Sequence, residues 1–219
     1  MKFNNFTKRT LSTFFLLPLV IFIIFKGSFL FNMFLLFCFF LSLFEWFKIS
    51  KKKVYFIFGL IFLSASFICT SLVRNGTKEF NSLEVFLLIF IICIFTDIGG
   101  YVFGKIFKGP KLTQISPNKT ISGVTGSYFF SLIFGILFIK FHSLIDLNLI
   151  IYSLNLEFII LIILISTISQ VGDILISLFK RISNIKDTGS IIPGHGGILD
   201  RIDGMIFVFP SYYLFNLIF

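Results

Sequence analysis

Between Ser177 and Asp203 the chain reads SLFKRISNIKDTGSIIPGHGGILDRID, a stretch that concentrates residue types able to handle phosphate. Lys180, Arg181, Lys186 and Arg201 stand against Asp187, Asp200 and Asp203, and Gly189, Gly194, Gly196, Gly197 and Pro193 break any helix there. Glycine lets a backbone approach a ligand closely and present successive N–H groups, which suits phosphate oxygens. Asp200 and Asp203 are three residues apart, a spacing that predicts one face of a starting helix. Asp173 comes earlier, after the apolar run FIILIILISTISQVG. Carboxylates from two helix ends, basic side chains and a glycine-rich loop together have the makings of a metal-assisted phosphate site. His195, a single histidine among glycines, reads as a loop hydrogen bond or phosphate contact in preference to a metal ligand.

A second polar patch, TDIGGYVFGKIFKGPKLTQISPNKTISG, brings Lys105, Lys108, Lys111 and Lys119 with Ser116, Thr120 and Ser122 close in sequence to Asp97. Each member of both patches has an ordinary explanation. Asp200 and Asp203 suit the positive end of a helix dipole, the lysines and arginines suit lipid headgroups and topology, and Asp97 could be an interfacial carboxylate screened by a lysine. A carboxylate costs about 2.5 to 3.5 kcal/mol at the centre of a membrane helix, so Asp97 and Asp173 each call for a partner or a role. P-loop, dinucleotide-binding, zincin and serine-hydrolase motifs are absent from the sequence.

The elements that must position these residues are membrane helices. Of 219 residues 57% are hydrophobic and only 13% charged, and the mean hydropathy is +1.01, which excludes an ordinary soluble domain and a disordered chain. Seven apolar stretches stand out, at about 10–25, 28–47, 54–73, 83–104, 121–139, 157–179 and 203–219. All should be helices, because a helix satisfies its own backbone hydrogen bonds in lipid. The segment 141–157 could hold a short interfacial helix.

With the N-terminus in the cytoplasm, fifteen of the nineteen lysines and arginines fall in cytoplasmic segments; only Lys26, Arg74, Lys78 and Lys140 fall on the other side. That asymmetry predicts the orientation and places both glycine-rich loops in the cytoplasm. It also accounts for the net charge of +9 without nucleic acid as a partner. Lys2, Lys8 and Arg9 before the first apolar run resemble a signal peptide, but no small-residue cleavage site follows, so the run is expected to remain as a first helix. Cys38, Cys69 and Cys93 have no ligand-type spacing and read as small buried residues. The expected fold is an all-α polytopic bundle of about seven transmembrane helices. It is one compact domain, with N-terminal helices over 1–80 and a catalytic membrane portion over 81–219.

These residues resemble a family, the integral-membrane phosphatidate cytidylyltransferases or CDP-diacylglycerol synthases. Its signature, S-x-x-K-R-x4-K-D-x-[GSA]-x2-apolar-[PG]-x-H-G-G-x2-D-R-x-D, is met at every specified position from Ser177 to Asp203. Asp97, Gly100, Tyr101 and Gly104, with Ser116, Pro117, Lys119, Thr120 and Gly123, resemble two further family segments. The resemblance covers roughly residues 94–210, and the first three spans match only in being apolar. The chain is shorter than many relatives, and Ile121-Ser122 stands where relatives often carry an aromatic followed by a polar residue.

The resemblance implies that CTP and phosphatidic acid give CDP-diacylglycerol and pyrophosphate, in a bacterial-type inner membrane with the site facing the cytoplasm. It implies Mg2+, with a second monovalent cation such as K+ close by. Asp173 and Asp200 are the first-choice metal ligands, with Asp203 beside them. Lys180, Arg181, Lys186 and Arg201 would hold the triphosphate, with Asp187 within the same signature, and His195, Gly196 and Gly197 would complete the cradle. Ser177 belongs to the substrate-binding set, as do Ser116, Lys119 and Thr120, with Asp97 orienting them. Relatives form homodimers, which implies one here. Three rival readings remain: a CTP-dependent lipid kinase of a related family; a transporter, although transporter sites usually lie near mid-bilayer; and a scaffold or insertion factor, which has no need of the carboxylate and glycine pattern.

Overall fold

The computed structural model describes residues 5–50, 53–76, 82–145, 154–191 and 196–218. They form α1 (Asn5–Lys26), α2 (Ser28–Ser50), α3 (Phe56–Asn75), α4 (Ser82–Phe107), α5 (Ile121–Ile145), α6 (Leu156–Ile182), α7 (Leu199–Ile202) and α8 (Met205–Ile218). The protein is an all-α polytopic membrane bundle. Five helices, α2 to α6, are long and apolar enough to cross a membrane, and Thr13–Lys26 and Met205–Leu217 are shorter apolar helices. Each of the seven expected stretches is thus helical, with ends displaced by a few residues. The largest shifts are at α5, which carries on to Ile145, and at α1, which begins at Asn5. Of the segment 141–157 suggested for an interfacial helix, 141–145 belong to α5 and 156–157 to α6, and 146–153 lie outside the described residues.

α4 is the central element, packed against α3, α5, α6 and α8. Its contact with α5 is close because glycines face each other: a Cβ added to Gly123 would lie 2.9 Å from the Gly100 carbonyl oxygen, and one on Gly126 would press into Phe103 and the Gly99 carbonyl. With no hydrophobic effect between helices in lipid, such small residues allow van der Waals contact between backbones. Buried hydroxyls then tie the helices together. Ser127 Oγ donates to Thr96 O at 2.8 Å, Thr96 Oγ1 to Ser166 Oγ at 2.9 Å, and Ser66 Oγ to Ile206 O at 2.6 Å.

The apolar core has two parts. One is built around Phe31, Ile89, Ile92, Phe158, Ile162 and Val208. The other, with Trp46, Ile49, Leu63, Ile176, Leu199 and Ile206, lies beneath the turn that carries Asp200. The three cysteines are free, Cys93 buried and the other two half-buried, as small apolar residues would be.

The connections sort to two ends of the bundle. At one end Lys53 Nζ donates to Ile182 O at 3.0 Å and to Ser183 Oγ at 3.1 Å, and Arg181 Nε donates to Ile115 O at 3.4 Å. The α2–α3, α4–α5 and α6–α7 loops therefore meet, which is the grouping that the charge asymmetry predicts. At the other end Arg74 caps α1 through Ile24 O at 3.0 and 2.6 Å, beside the tight turn at Gly27, whose φ of +59° is open to glycine at little cost.

Candidate active site

The site end gathers two carboxylate-centred clusters. In the first, Asp173 of α6 forms an ion pair with Lys119, Nζ to Oδ2 at 2.6 Å, with both side chains part-exposed. Lys119 Nζ also reaches Gln170 O at 3.3 Å, and Ser177 Oγ, one helical turn along, donates to Asp173 Oδ1 at 3.4 Å. Asp203, in the turn between α7 and α8, lies near enough to feel the charge of Asp173, and its Oδ1 accepts Gly204 N–H at 2.9 Å. Asp97 of α4 lies near enough to feel the charges of Asp173, Lys119 and Arg201. Burial, then the neighbouring carboxylates of Asp173 and Asp97, push the Asp203 carboxyl well above the usual range, with Lys180 opposing.

Lys119 is held there by the α4–α5 loop. Lys111 and Thr120 form an isolated antiparallel bridge, Leu112 N–H donates to Lys119 O at 2.8 Å, and Lys119 N–H donates to Ser116 O at 3.0 Å. Thr120 Oγ1 then accepts Gly123 N–H at 3.1 Å at the start of α5. Ser116 and Thr120 thus shape the loop through backbone and capping contacts, and Lys119 is the member of this segment whose side chain enters the cluster.

In the second cluster Asp200 is fully committed. Oδ1 accepts Lys180 Nζ at 2.8 Å, with side-chain exposures of 12% for the lysine and 5% for the aspartate. Oδ2 accepts Thr188 N–H at 2.9 Å, Thr188 Oγ1 at 3.0 Å and Gly197 N–H at 3.1 Å. Burial alone would raise the Asp200 carboxyl, but these donors and the Lys180 charge hold it below the usual carboxylate range. Gly196 has a φ of +90°, and a Cβ there would sit 3.0 Å from Asp200 Oδ2. The glycine pair is thereby folded over the carboxylate.

Asp200 and Asp203 thus take different hydrogen-bond partners. α7 has only four residues, and the two side chains have separate partners. Lys180 faces inward to Asp200, whereas Arg181, Lys186, Asp187 and Arg201 are exposed, and no carboxylate pairs with the three cations among the described residues. His195 lies outside the described residues, as do Pro193 and Gly194.

Sequence reasoning passed over Glu45 and Thr188. Glu45 of α2 is fully buried, and it accepts Thr188 Oγ1 at 2.8 Å, Ile198 N–H at 3.0 Å and Leu199 N–H at 2.8 Å. The signal that could have found it is a lone carboxylate inside the apolar run of α2, which carries the same insertion cost noted for Asp97.

A family model described as the cytidylyltransferase family matches residues 7–83 and 73–219. The chain belongs to this cytidylyltransferase family. Curated relatives include phosphatidate cytidylyltransferases of Staphylococcus haemolyticus (strain JCSC1435), 45% identical over 131 residues, and of Staphylococcus aureus (strain COL), 44% identical over 131 residues. That of Staphylococcus saprophyticus subsp. saprophyticus is 40% identical over 131 residues. Each match covers 59% of this chain and 48% of the relative, so the chain spans about half the length of the curated relatives it matches. Like its apolar helices, this kinship makes the cytidylyltransferase family member an integral membrane protein.

Chemically, the first cluster offers only hard oxygen ligands, two of them neighbouring carboxyls. Among the described residues no three His, Cys, Asp or Glu side chains form a closed metal cage. Mg2+ is commonly held by one or two carboxylates together with substrate phosphates, so an open Asp173–Asp203 pair fits such an ion. Asp200, with all its partners supplied by the protein, fits that role less well.

Proposed function

We propose that this family member transfers the cytidylyl group of CTP to phosphatidic acid, giving CDP-diacylglycerol and pyrophosphate. One observation carries the reading. The signature loop folds over a charge-saturated Asp200, and an unsaturated pair, Asp173 and Asp203, stands at the same end of the membrane helices. This supplies a rigid anion cradle next to a site where negative charge must be neutralised. The bacterial relatives bearing the phosphatidate cytidylyltransferase name support the same reading.

In the reaction a phosphate oxygen of phosphatidate attacks the α-phosphorus of CTP. A new P–O–P bond forms, the bond between the α-phosphorus and its bridging oxygen breaks, and pyrophosphate leaves with the electron pair. A phosphate monoester has a second pKa of about 6, so the nucleophile is already an anion and no general base is required. The task left to the protein is to neutralise and align two anions. Arg181, Lys186 and Arg201, exposed and without carboxylate partners among the described residues, would bind the triphosphate and the leaving pyrophosphate. Lys180 would act from within, fixing Asp200 and through it the Gly197 amide. Lys119 would orient Asp173. Asp173 and Asp203 would hold Mg2+, which when bound lowers the cost of charge building on the phosphate oxygens.

The charge asymmetry of the loops supports an inner, cytoplasmic membrane with this end of the bundle facing the cytoplasm, where CTP arrives. Phosphatidate would enter sideways from the bilayer. The test is to incubate the purified protein with Mg2+, phosphatidic acid, and CTP labelled on either the α- or the γ-phosphate. The α-label should enter the lipid and the γ-label should leave as pyrophosphate. γ-Label in the lipid would identify a lipid kinase, and no transfer of either label would overturn the enzyme reading.

A further inference from the structure

The proposed reaction uses residues from α4 onward, yet a fully buried carboxylate at the site end comes from α2. Glu45 is fully buried within a membrane helix, and its three hydrogen bonds among the described residues go to the signature segment more than 140 residues away. Two of its donors, Ile198 N–H and Leu199 N–H, belong to the first turn of α7, whose N-cap residue Ile198 has no side-chain cap of its own. Glu45 supplies that cap from another helix. The third donor, Thr188 Oγ1, lies 2.8 Å from Glu45 Oε2 and 3.0 Å from Asp200 Oδ2. A hydroxyl carries one proton, so Thr188 links the two carboxylates while donating to one at a time.

Two signature glycines are explained by the same carboxylate. A Cβ on Gly189 would lie 2.6 Å from Glu45 Oε1, and a Cβ on Gly197 would run into Glu45 Oε2 and Thr188 Oγ1. The glycines at these positions leave room for Glu45 to enter the loop. Around this contact the α2 end grips the end of α6: Ser183 Oγ donates to Ile49 O at 2.6 Å, and the Trp46 ring packs edge-on to Phe179 at 5.2 Å.

We infer that Glu45 is a positioning residue for the nucleotide cradle: from α2 it sets the Thr188–Gly197–Asp200 turn in the shape that receives the triphosphate. This rests on the proposed cytidylyl transfer. It makes the N-terminal helices part of the active unit, so residues 81–219 do not hold a complete site by themselves. Among the described residues Glu45 makes no hydrogen bond or ion pair with Lys119 or Asp173, and its influence is therefore directed to the nucleotide side.

The experiment uses the full chain in detergent, with Glu45→Gln, Thr188→Val and the double variant. Glutamine keeps the shape of Glu45 but cannot accept from all three donors with both oxygens. Rates with α-labelled CTP are normalised to folded protein, while CTP and phosphatidate are varied separately. Glu45→Gln should lower kcat/KM for CTP at least tenfold and leave KM for phosphatidate within twofold of wild type. Thr188→Val should reproduce the CTP defect, and the double variant should be no more than about threefold worse than the poorer single, because both act through one contact. Amide exchange over 196–201 should quicken in Glu45→Gln while that of 121–135 does not.

A CTP profile within twofold of wild type in the folded fraction, multiplicative losses in the double variant, or unchanged exchange at 196–201 would each overturn the inference. If Glu45→Gln does not fold, the Thr188→Val profile decides in the same terms. A wild-type protein that transfers no label, while the exchange difference persists, would instead overturn the proposed reaction and leave Glu45 as an organiser of the turn.

Discussion

Replacing Lys180 by methionine tests how Asp200 is held. Lys180 Nζ lies 2.8 Å from Asp200 Oδ1 and both side chains are nearly covered. Removing one member of a buried pair costs about 3 to 5 kcal/mol when the other charge is left without partners. Asp200 is not left so, because Thr188 N–H, Thr188 Oγ1 and Gly197 N–H remain on Oδ2. The loss is that of one charge-assisted hydrogen bond, about 1.5 to 3 kcal/mol. For a chain of this length that lowers the melting temperature by roughly 3 to 12 °C, at about 2 to 4 °C per kcal/mol. Thermal unfolding of the detergent-solubilised protein measures it.

Lys180→Met/Asp200→Asn removes the stranded charge too and should be about 1 kcal/mol more stable than the sum of the single losses predicts. The ionisation state adds a second check. The Asp200 carboxyl is held below its ordinary value, so the stability it contributes is complete above the unfolded pKa of about 3.9 and is lost as pH falls through the lower folded value. The deficit of Lys180→Met should therefore be constant from about pH 5 to 8 and shrink only in stronger acid. An additive double variant, a deficit above about 4 kcal/mol, or one already gone at pH 6 would refute this account.

Asp173→Asn and Asp203→Asn should each leave a folded membrane protein with under a tenth of wild-type turnover that added CTP does not restore; a retained rate above a tenth, a barrier change under about 1.4 kcal/mol, would remove that residue from the proposed metal site. Gly126→Val forces a side chain into Phe103 and the Gly99 carbonyl, and should destabilise the protein by about 1 to 3 kcal/mol in the same unfolding assay. A cysteine substituted for the exposed Asn184 should react with a membrane-impermeant thiol reagent only after the cytoplasmic side is opened, and labelling in intact cells would reverse the proposed orientation.

Much of the architecture was legible in the chain because lipid imposes a one-dimensional rule. A run of about 20 apolar residues must be helical whatever its neighbours do, and lysine and arginine counts per loop are local quantities, so the helices and the grouping of their loops could be read directly. The family signature was equally legible as a pattern of types and spacings. Pairing was not. The sequence presents Asp200 and Asp203 as equivalents three residues apart; the fold gives one to Lys180, Thr188 and Gly197 and sets the other near Asp173. It likewise presents Lys180 and Arg181 as adjacent cations, and only helix rotation turns the first inward and the second out. Glu45 shows the reason most plainly. Its insertion cost is visible in the run of α2, but what offsets that cost is a hydroxyl and two amides from a turn that only the packing of α2 against α6 and α7 brings within 3 Å. Hydrogen bonds act over such distances regardless of chain separation, so the identity of each partner is a property of the tertiary structure.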